Sequence, residues 1–273
     1  MYFSLHRGTA GRNLPHEDFV RLAARAGFAA ADPDFTYADT HGLAAMRDLY
    51  AENNLKFGGW GVPFDFRAAA GLDAQGMARL RRFAGYAREV GIDSCGNHVM
   101  PSSDFPFMEN WNFLVPRIKA VAAVLGEHGL RFGIEPVAPY HLRVRGRHAF
   151  LFTPGQILEL AAACGENVGL LVDSYHFHAA AEPMATLAQM PRERVVHAHI
   201  NDAPAGPLEK LQDFDRLLPG EGVIDLAGFM GALKAIGYDG PVSLEVFSKR
   251  LDAMAPEQSA ALAWKSLKHL VVC

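Results

Sequence analysis

Short aliphatic runs alternate with amphipathic stretches along the whole chain. Runs near 2–6, 28–32, 56–60, 92–99, 130–136, 168–174, 194–200 and 241–247 are too short for helices and are bounded by turn residues, which predicts strands. Between them, apolar residues recur at helical spacing. Phe19, Leu22, Ala23 and Ala26 make one stripe, and Leu80, Phe83, Ala84 and Ala87 a second. Ile157, Leu160, Ala161 and Cys164 make a third, and Leu226, Phe229, Met230, Leu233 and Ile236 a fourth. Thr153 followed by Pro154 suits the start of the third helix, and Asp225 caps the fourth. Gly27, Gly91, Gly129, Gly165 and Gly237 stand where helices should stop. Eight such strand–helix units in 273 residues predict one α/β domain, 1–273, folded as a (β/α)8 TIM barrel. The rival is a doubly wound sheet. Its Gly-rich phosphate turn is missing, because the first turn reads His6-Arg-Gly-Thr-Ala-Gly11.

Four of the later runs end in side chains that a buried strand does not need for packing. They read Arg131-Phe-Gly-Ile-Glu135, Gly169-Leu-Leu-Val-Asp173, Arg194-Val-Val-His-Ala-His199 and Pro241-Val-Ser-Leu-Glu245. A strand turns alternate residues to opposite faces. With Glu135, Asp173, His199 and Glu245 pointing inward, the outward sets are Phe132 and Ile134; Leu170 and Val172; Val196, Ala198 and Ile200; and Val242, Leu244 and Val246. All are apolar, as packing against outer helices requires. The inward sets end in carboxylates and an imidazole at the C-terminal mouth, where barrel active sites form. Taken singly, each is as well explained as a loop residue or helix cap. Together they predict an oxygen-and-imidazole site for a divalent cation.

Other residues near these ends have two readings each. His197 shares the parity of His199 one layer deeper, as a core residue or a support. His176 is placed to orient a substrate, supply a proton or serve structure, and His178 falls on the loop surface. Asp202 either steadies the imidazole or shapes a turn. Glu221 and the Pro219-Gly-Glu-Gly222 turn shape the entry to the Asp225 helix, with a phosphate cradle as the weaker reading. Trp60 either stacks on a sugar ring or packs in the core, and His6 and His98 end strands and are candidates for the pocket wall.

Bulk properties narrow the partners. With 26 basic and 30 acidic residues the net charge is −4, which argues against a nucleic-acid partner. The chain opens directly as a strand, Tyr2-Phe-Ser-Leu-His6, and no apolar run is long enough to suggest a membrane partner. Cys95, Cys164 and Cys273 form no CxxC pair, so a reduced, cytoplasmic protein without a zinc-thiolate site is expected. The apolar terminus Leu270-Val-Val-Cys273 is suited to cover the barrel or to touch a second copy in a homo-oligomer.

Ile134-Glu-Pro136, Val172-Asp-Ser-Tyr-His-Phe-His178, His197-Ala-His-Ile-Asn-Asp202, Leu218-Pro-Gly-Glu-Gly222 and Leu244-Glu245 resemble, in order, the motifs of the xylose isomerase-like barrel superfamily. The likeness is to its sugar phosphate isomerase/epimerase branch, and the Asp-Ser-aromatic-His-Phe-His stretch is most similar to 2-keto-myo-inositol (inosose) isomerases. It is dense in the second half of the chain and mainly architectural in the first. The resemblance implies a divalent metal, manganese first with magnesium, cobalt or zinc as alternatives, held by Glu135, Asp173, His199 and Glu245. It also implies a sugar or cyclitol ketone as the small-molecule substrate. A hard cation on the ketone oxygen and neighbouring hydroxyl acidifies the C–H between them and stabilises a cis-enediolate. Glu135 and Glu245 would move the proton, with His176 as a further catalytic candidate and His141, Trp60 and His98 as substrate contacts.

Two positions depart from the ketose 3-epimerases: His141 replaces a glutamate six residues after the first ligand, and Ala205 replaces an arginine six after the metal histidine. The basic loop His141-Leu-Arg-Val-Arg-Gly-Arg-His148 either draws an anionic substrate group or is a solvated face. A 3-dehydroshikimate dehydratase-like lyase using the same metal site is the alternative reaction. The related DNA-repair endonucleases carry an Asp-x-His pair before the last strand, and Glu209 to Asp225 contains no histidine.

Overall fold

The fold was obtained as a computed structural model that describes residues 1–68 and 71–270. Cys273 and most of the apolar terminus considered above lie outside the described residues. Eight parallel strands form the centre: β1 Tyr2–Leu5, β2 Ala30–Ala31, β3 Lys56–Phe57, β4 Ser94–Val99, β5 Arg131–Pro136, β6 Val168–Asp173, β7 Val195–Ile200 and β8 Pro241–Leu244. Each pairs with its sequence neighbour, and β1 pairs with β8. The ring closes just beyond β3, where Gly61 bridges Gly96 of β4. There the Gly96 N–H donates to the Trp60 carbonyl at 2.9 Å. All eight strands fall where the aliphatic runs placed them, and the architecture is the (β/α)8 TIM barrel.

Helices surround this ring. The stripe of Phe19, Leu22 and Ala23 buries the inner face of His16–Ala26, which stops at Gly27 in the left-handed region (φ 105°). Thr153 and Gln156 cap the helix Pro154–Cys164 reciprocally, and the Asp225 carboxylate takes the Gly228 N–H to start Leu226–Ala235. Phe132, Ile134, Leu170, Val172, Ala198, Ile200, Val242, Leu244 and Val246 fill the layer between ring and helices. A buried leucine or isoleucine in that layer contributes about 1.5–3 kcal/mol through area removed from water. Cys95 and Cys164 are free and buried. Among the described residues, no helix is long and apolar enough to cross a membrane.

One outward assignment needs correction. Between β6 and β7 the register slips, Leu170 pairing with Val195 and Leu171 with His197, so Val196 is an extra, bulged residue. It points into the barrel floor: a Cβ on the inward-facing Gly133 would sit 3.1 Å from Val196 Cβ, and one on Gly169 would sit 2.9 Å from Val196 Cγ2. The bulge restores the parity that brings His197 and His199 inward.

Candidate metal centre and active site

Glu135 is the fifth residue of β5, Asp173 ends β6, His199 is the fifth residue of β7, and Glu245 follows β8 directly. The strand register levels them, Asp173 opposite His199 and His199 opposite Ser243. One ligand atom from each of the four lies within 4.8 Å of all the others. His199 Nδ1 is the hub, 3.2 Å from Glu135 Oε1, 3.4 Å from Glu245 Oε2 and 3.8 Å from Asp173 Oδ2.

Neighbours hold each ligand in place. Asp173 doubles as the cap of the short helix Ser174–Ala179, its Oδ1 accepting the N–H groups of Tyr175 (2.7 Å) and His176 (3.2 Å). The buried Asn201 amide donates to both Asp173 oxygens and to the Glu245 carbonyl. Thr9 brackets Glu245: its hydroxyl donates to the Leu244 carbonyl and accepts the Val246 N–H, at 2.6 and 2.8 Å. Arg216, fully buried, reaches Asp173 Oδ2 at 3.1 Å and Glu245 Oε2 at 2.9 Å through Nη1, and Asp213 at 2.8 Å through Nη2.

The electrostatics favour a cation. Three buried carboxylates face the single fixed positive charge of Arg216. Burial works against a charged His199, yet Glu245 and Glu135 hold its imidazole well above the ordinary histidine range. Burial pushes the Glu245 carboxyl up, but His199 and His6 outweigh it and hold it well below the carboxylate range. Burial raises Asp173 against the pull of Arg216. Three carboxylate oxygens and one imidazole nitrogen, crowded within a few ångströms, suit a divalent metal, which would take His199 as a neutral ligand.

The cluster opens to a cavity. A cavity of about 480 Å³ lies at the barrel mouth, and Glu135, His199 and Glu245 line it together with His6, His98 and Trp60. Asp173, with no exposure, is sealed behind them.

A family model for the xylose isomerase-like TIM barrel matches residues 20–270. The chain belongs to that family. A xylose isomerase domain protein from Alicyclobacillus acidocaldarius superposes with a TM-score of 0.90 at 31% identity, over 99% of this chain and 98% of that one. The inosose isomerase of Bacillus subtilis (strain 168) is 37% identical over 106 residues, 39% of this chain and 38% of that enzyme. A 3-dehydroshikimate dehydratase of Pseudomonas aeruginosa is 29% identical over 200 residues, 71% of this chain and 30% of that enzyme. The chain thus matches less than half the length of either curated enzyme, and ketose 3-epimerases also stand among its relatives. These relatives are named as isomerases, epimerases and a dehydratase.

Within the barrel, two residues take other places than the sequence suggested. His176 does not line the cavity: it is buried behind Glu135, its Nδ1 facing the Ala138 N–H at 3.4 Å and its Nε2 facing Arg216 at 3.3 Å. The cap geometry of Asp173 turns its ring away from the mouth, so it supports Glu135 and Arg216. His141 also stands off the cavity, donating from Nδ1 to the Leu211 carbonyl, and the arginines of its loop face rings or solvent. Trp60 and His98 do line the wall. Trp60 packs edge-on against Phe35 at 85°, and burial with the nearby Arg67 lowers the His98 pKa, keeping that ring neutral.

Asp202 shapes a turn. Its carboxylate accepts the N–H groups of Ala203, Gly220, Gly222 and Ile224, so two N–H groups of the Pro219–Gly222 turn are spent on protein and form no phosphate cradle.

The sequence reading passed over Arg216, Asn201, Thr9 and Asp32. Arg216 delivers the guanidinium that Ala205 cannot, from an irregular loop where strand parity gives no guide. Asp32 ends the run Phe28-Ala-Ala-Ala31 and follows the same rule as the four ligands, so its signal was present.

Proposed function

We propose that this barrel is a divalent-metal-dependent isomerase or epimerase that moves a proton on a sugar or cyclitol ketone. One observation carries the reading: two carboxylates, Glu135 and Glu245, belong to the cation-seeking cluster and also face the substrate cavity. Glu135, Asp173, His199 and Glu245 would hold the cation, manganese being the first choice. When bound, the metal polarises a ketone oxygen and its neighbouring hydroxyl, which acidifies the C–H between them. The chain's own groups do the rest. Glu245, held ionised by its neighbours, takes the proton, and Glu135 is placed to return it. His6, 3.5 Å from Glu245 Oε1, steadies that carboxylate. Trp60 and His98 contact the carbon skeleton, and Asn201, Arg216 and His176 keep the ligands aimed.

Proton NMR in D2O tests this with manganese-loaded enzyme and a panel of keto-inositols, ketoses and 3-dehydroshikimate. Deuterium uptake or a new isomer is expected, lost on EDTA treatment and reduced roughly 10²–10⁴-fold in Glu245→Gln. No exchange with any ketone by the metal-loaded protein would sink the reading. A dehydratase-like lyase is the second reading, favoured by the P. aeruginosa relative that matches 71% of the chain. Growth of a conjugated ultraviolet chromophore from 3-dehydroshikimate would select it.

A further inference from the structure

Away from the metal-type ligands, the cavity has a second built polar wall on β1 to β3, centred on Asp32. Its carboxylate is 7% exposed and lines the cavity. All three of its protein hydrogen bonds fall on one oxygen: Oδ1 accepts from Ser4 Oγ, Gly59 N–H (3.0 Å) and Ser243 Oγ (3.0 Å). Among the described residues nothing donates to Oδ2. The backbone is shaped around this group. A Cβ on Gly58 would lie 2.1 Å from Asp32 Oδ1, and one on Gly59 would lie 2.4 Å from His197 Nε2.

The same network orients a neighbouring imidazole. Ser243 has one hydroxyl proton and gives it to Asp32, so its 3.2 Å contact with His197 must be a donation from His197 Nε2–H. His197 Nδ1 is a buried atom without a protein partner. His197 also lines the cavity. Asp34 adds a second carboxylate to the lining on the same side. Arg7 and Arg79 line the cavity too, but at Asp32 Oδ2 itself a substrate hydroxyl can donate a hydrogen bond, whereas a carboxylate or phosphate group cannot.

We propose that Asp32 is a specificity-determining residue. Its Oδ2 accepts a hydrogen bond from a substrate hydroxyl remote from the reacting carbons, selecting a neutral polyol ketone over one bearing a carboxylate or phosphate there. This rests on the polyol-ketone reading above and narrows its substrate class.

The experiment uses Asp32→Asn, whose amide oxygen keeps the three Oδ1 partners while an NH2 replaces Oδ2. Calorimetry on the full-length, manganese-loaded protein measures binding of unreactive myo-inositol, and turnover is followed with 2-keto-myo-inositol. Asp32→Asn is expected to weaken inositol binding and raise KM by roughly tenfold or more, as for loss of a hydrogen bond to a charged group, with kcat within about threefold. The native protein is expected to bind inositol monophosphate at least about tenfold more weakly than inositol. The phosphate comparison needs no variant and so survives a misfolded Asp32→Asn. Equal affinities for the two polyols, no measurable binding of either, or an unchanged KM in a folded Asp32→Asn would overturn the assignment. Native protein that binds inositol but exchanges no ketone proton would instead remove the reaction and leave the polyol wall standing.

Discussion

Strands β5 to β8 run four to six residues and carry, or directly precede, all four members of the charge cluster, whereas β2 and β3 span two residues each and the ring closes beside them through the Gly61–Gly96 bridge. The polar groups of the two halves are treated differently. In the later half they are committed to protein: Asp173 receives hydrogen bonds from Tyr175, His176, Asn201 and Arg216. In the earlier half Asp32, His98 and Trp60 face the cavity with bonding capacity left over. Reaction chemistry needs groups held within fractions of an ångström, and recognition needs groups with free valences. The barrel separates the two demands by strand.

The largest break in this contrast comes from Arg216→Met. It strips the counter-charge from Asp173 and Glu245 in a dry environment, and urea unfolding in EDTA should show a loss of about 3–5 kcal/mol. Added manganese should recover part of it, because a cation restores the charge balance.

The earlier half should show its own pH response through His16. Burial and the adjacent Arg7 hold that imidazole at about 4, below the ordinary histidine value of 6.5. The unfolded chain therefore binds the proton more readily than the native state between these values. The contribution is fully present above pH 6.5 and is lost as pH falls towards 4, by about 2–3 kcal/mol. Urea titrations at pH 7 and pH 4.5 should differ by less in His16→Gln than in the native chain.

The smallest effect sharpens the contrast from outside both halves. His141→Ala should change KM by less than about twofold and stability by less than about 0.5 kcal/mol, checked by steady-state kinetics and thermal melting. A tenfold rise in KM would return His141 to the substrate wall.

Much of this division was written in the chain. Period-two alternation with a terminal carboxylate or imidazole located the four clustered residues because strand geometry fixes where such a side chain must point. It missed Val196, since a bulge breaks the period without any mark in a run of valines. Arg216 escaped because it comes from a loop between Asp213 and Leu217, where neither helical nor strand spacing applies. The cavity wall was the least legible. Three of its contributors follow two-residue strands, and what places Asp32 is the room left by Gly58, a matter of absent atoms that no periodicity records.

Asp173 caps a helix with the same carboxylate that it turns towards the cluster. Its two duties make it nearly immovable, since a change made for chemistry also unravels the start of Ser174–Ala179. Residues 32–36, 60 and 97–98 carry no such double duty towards the clustered carboxylates and imidazole. Those positions are where inheritance is free to experiment. A mutant library confined to them would explore new substrates while leaving the reaction centre untouched.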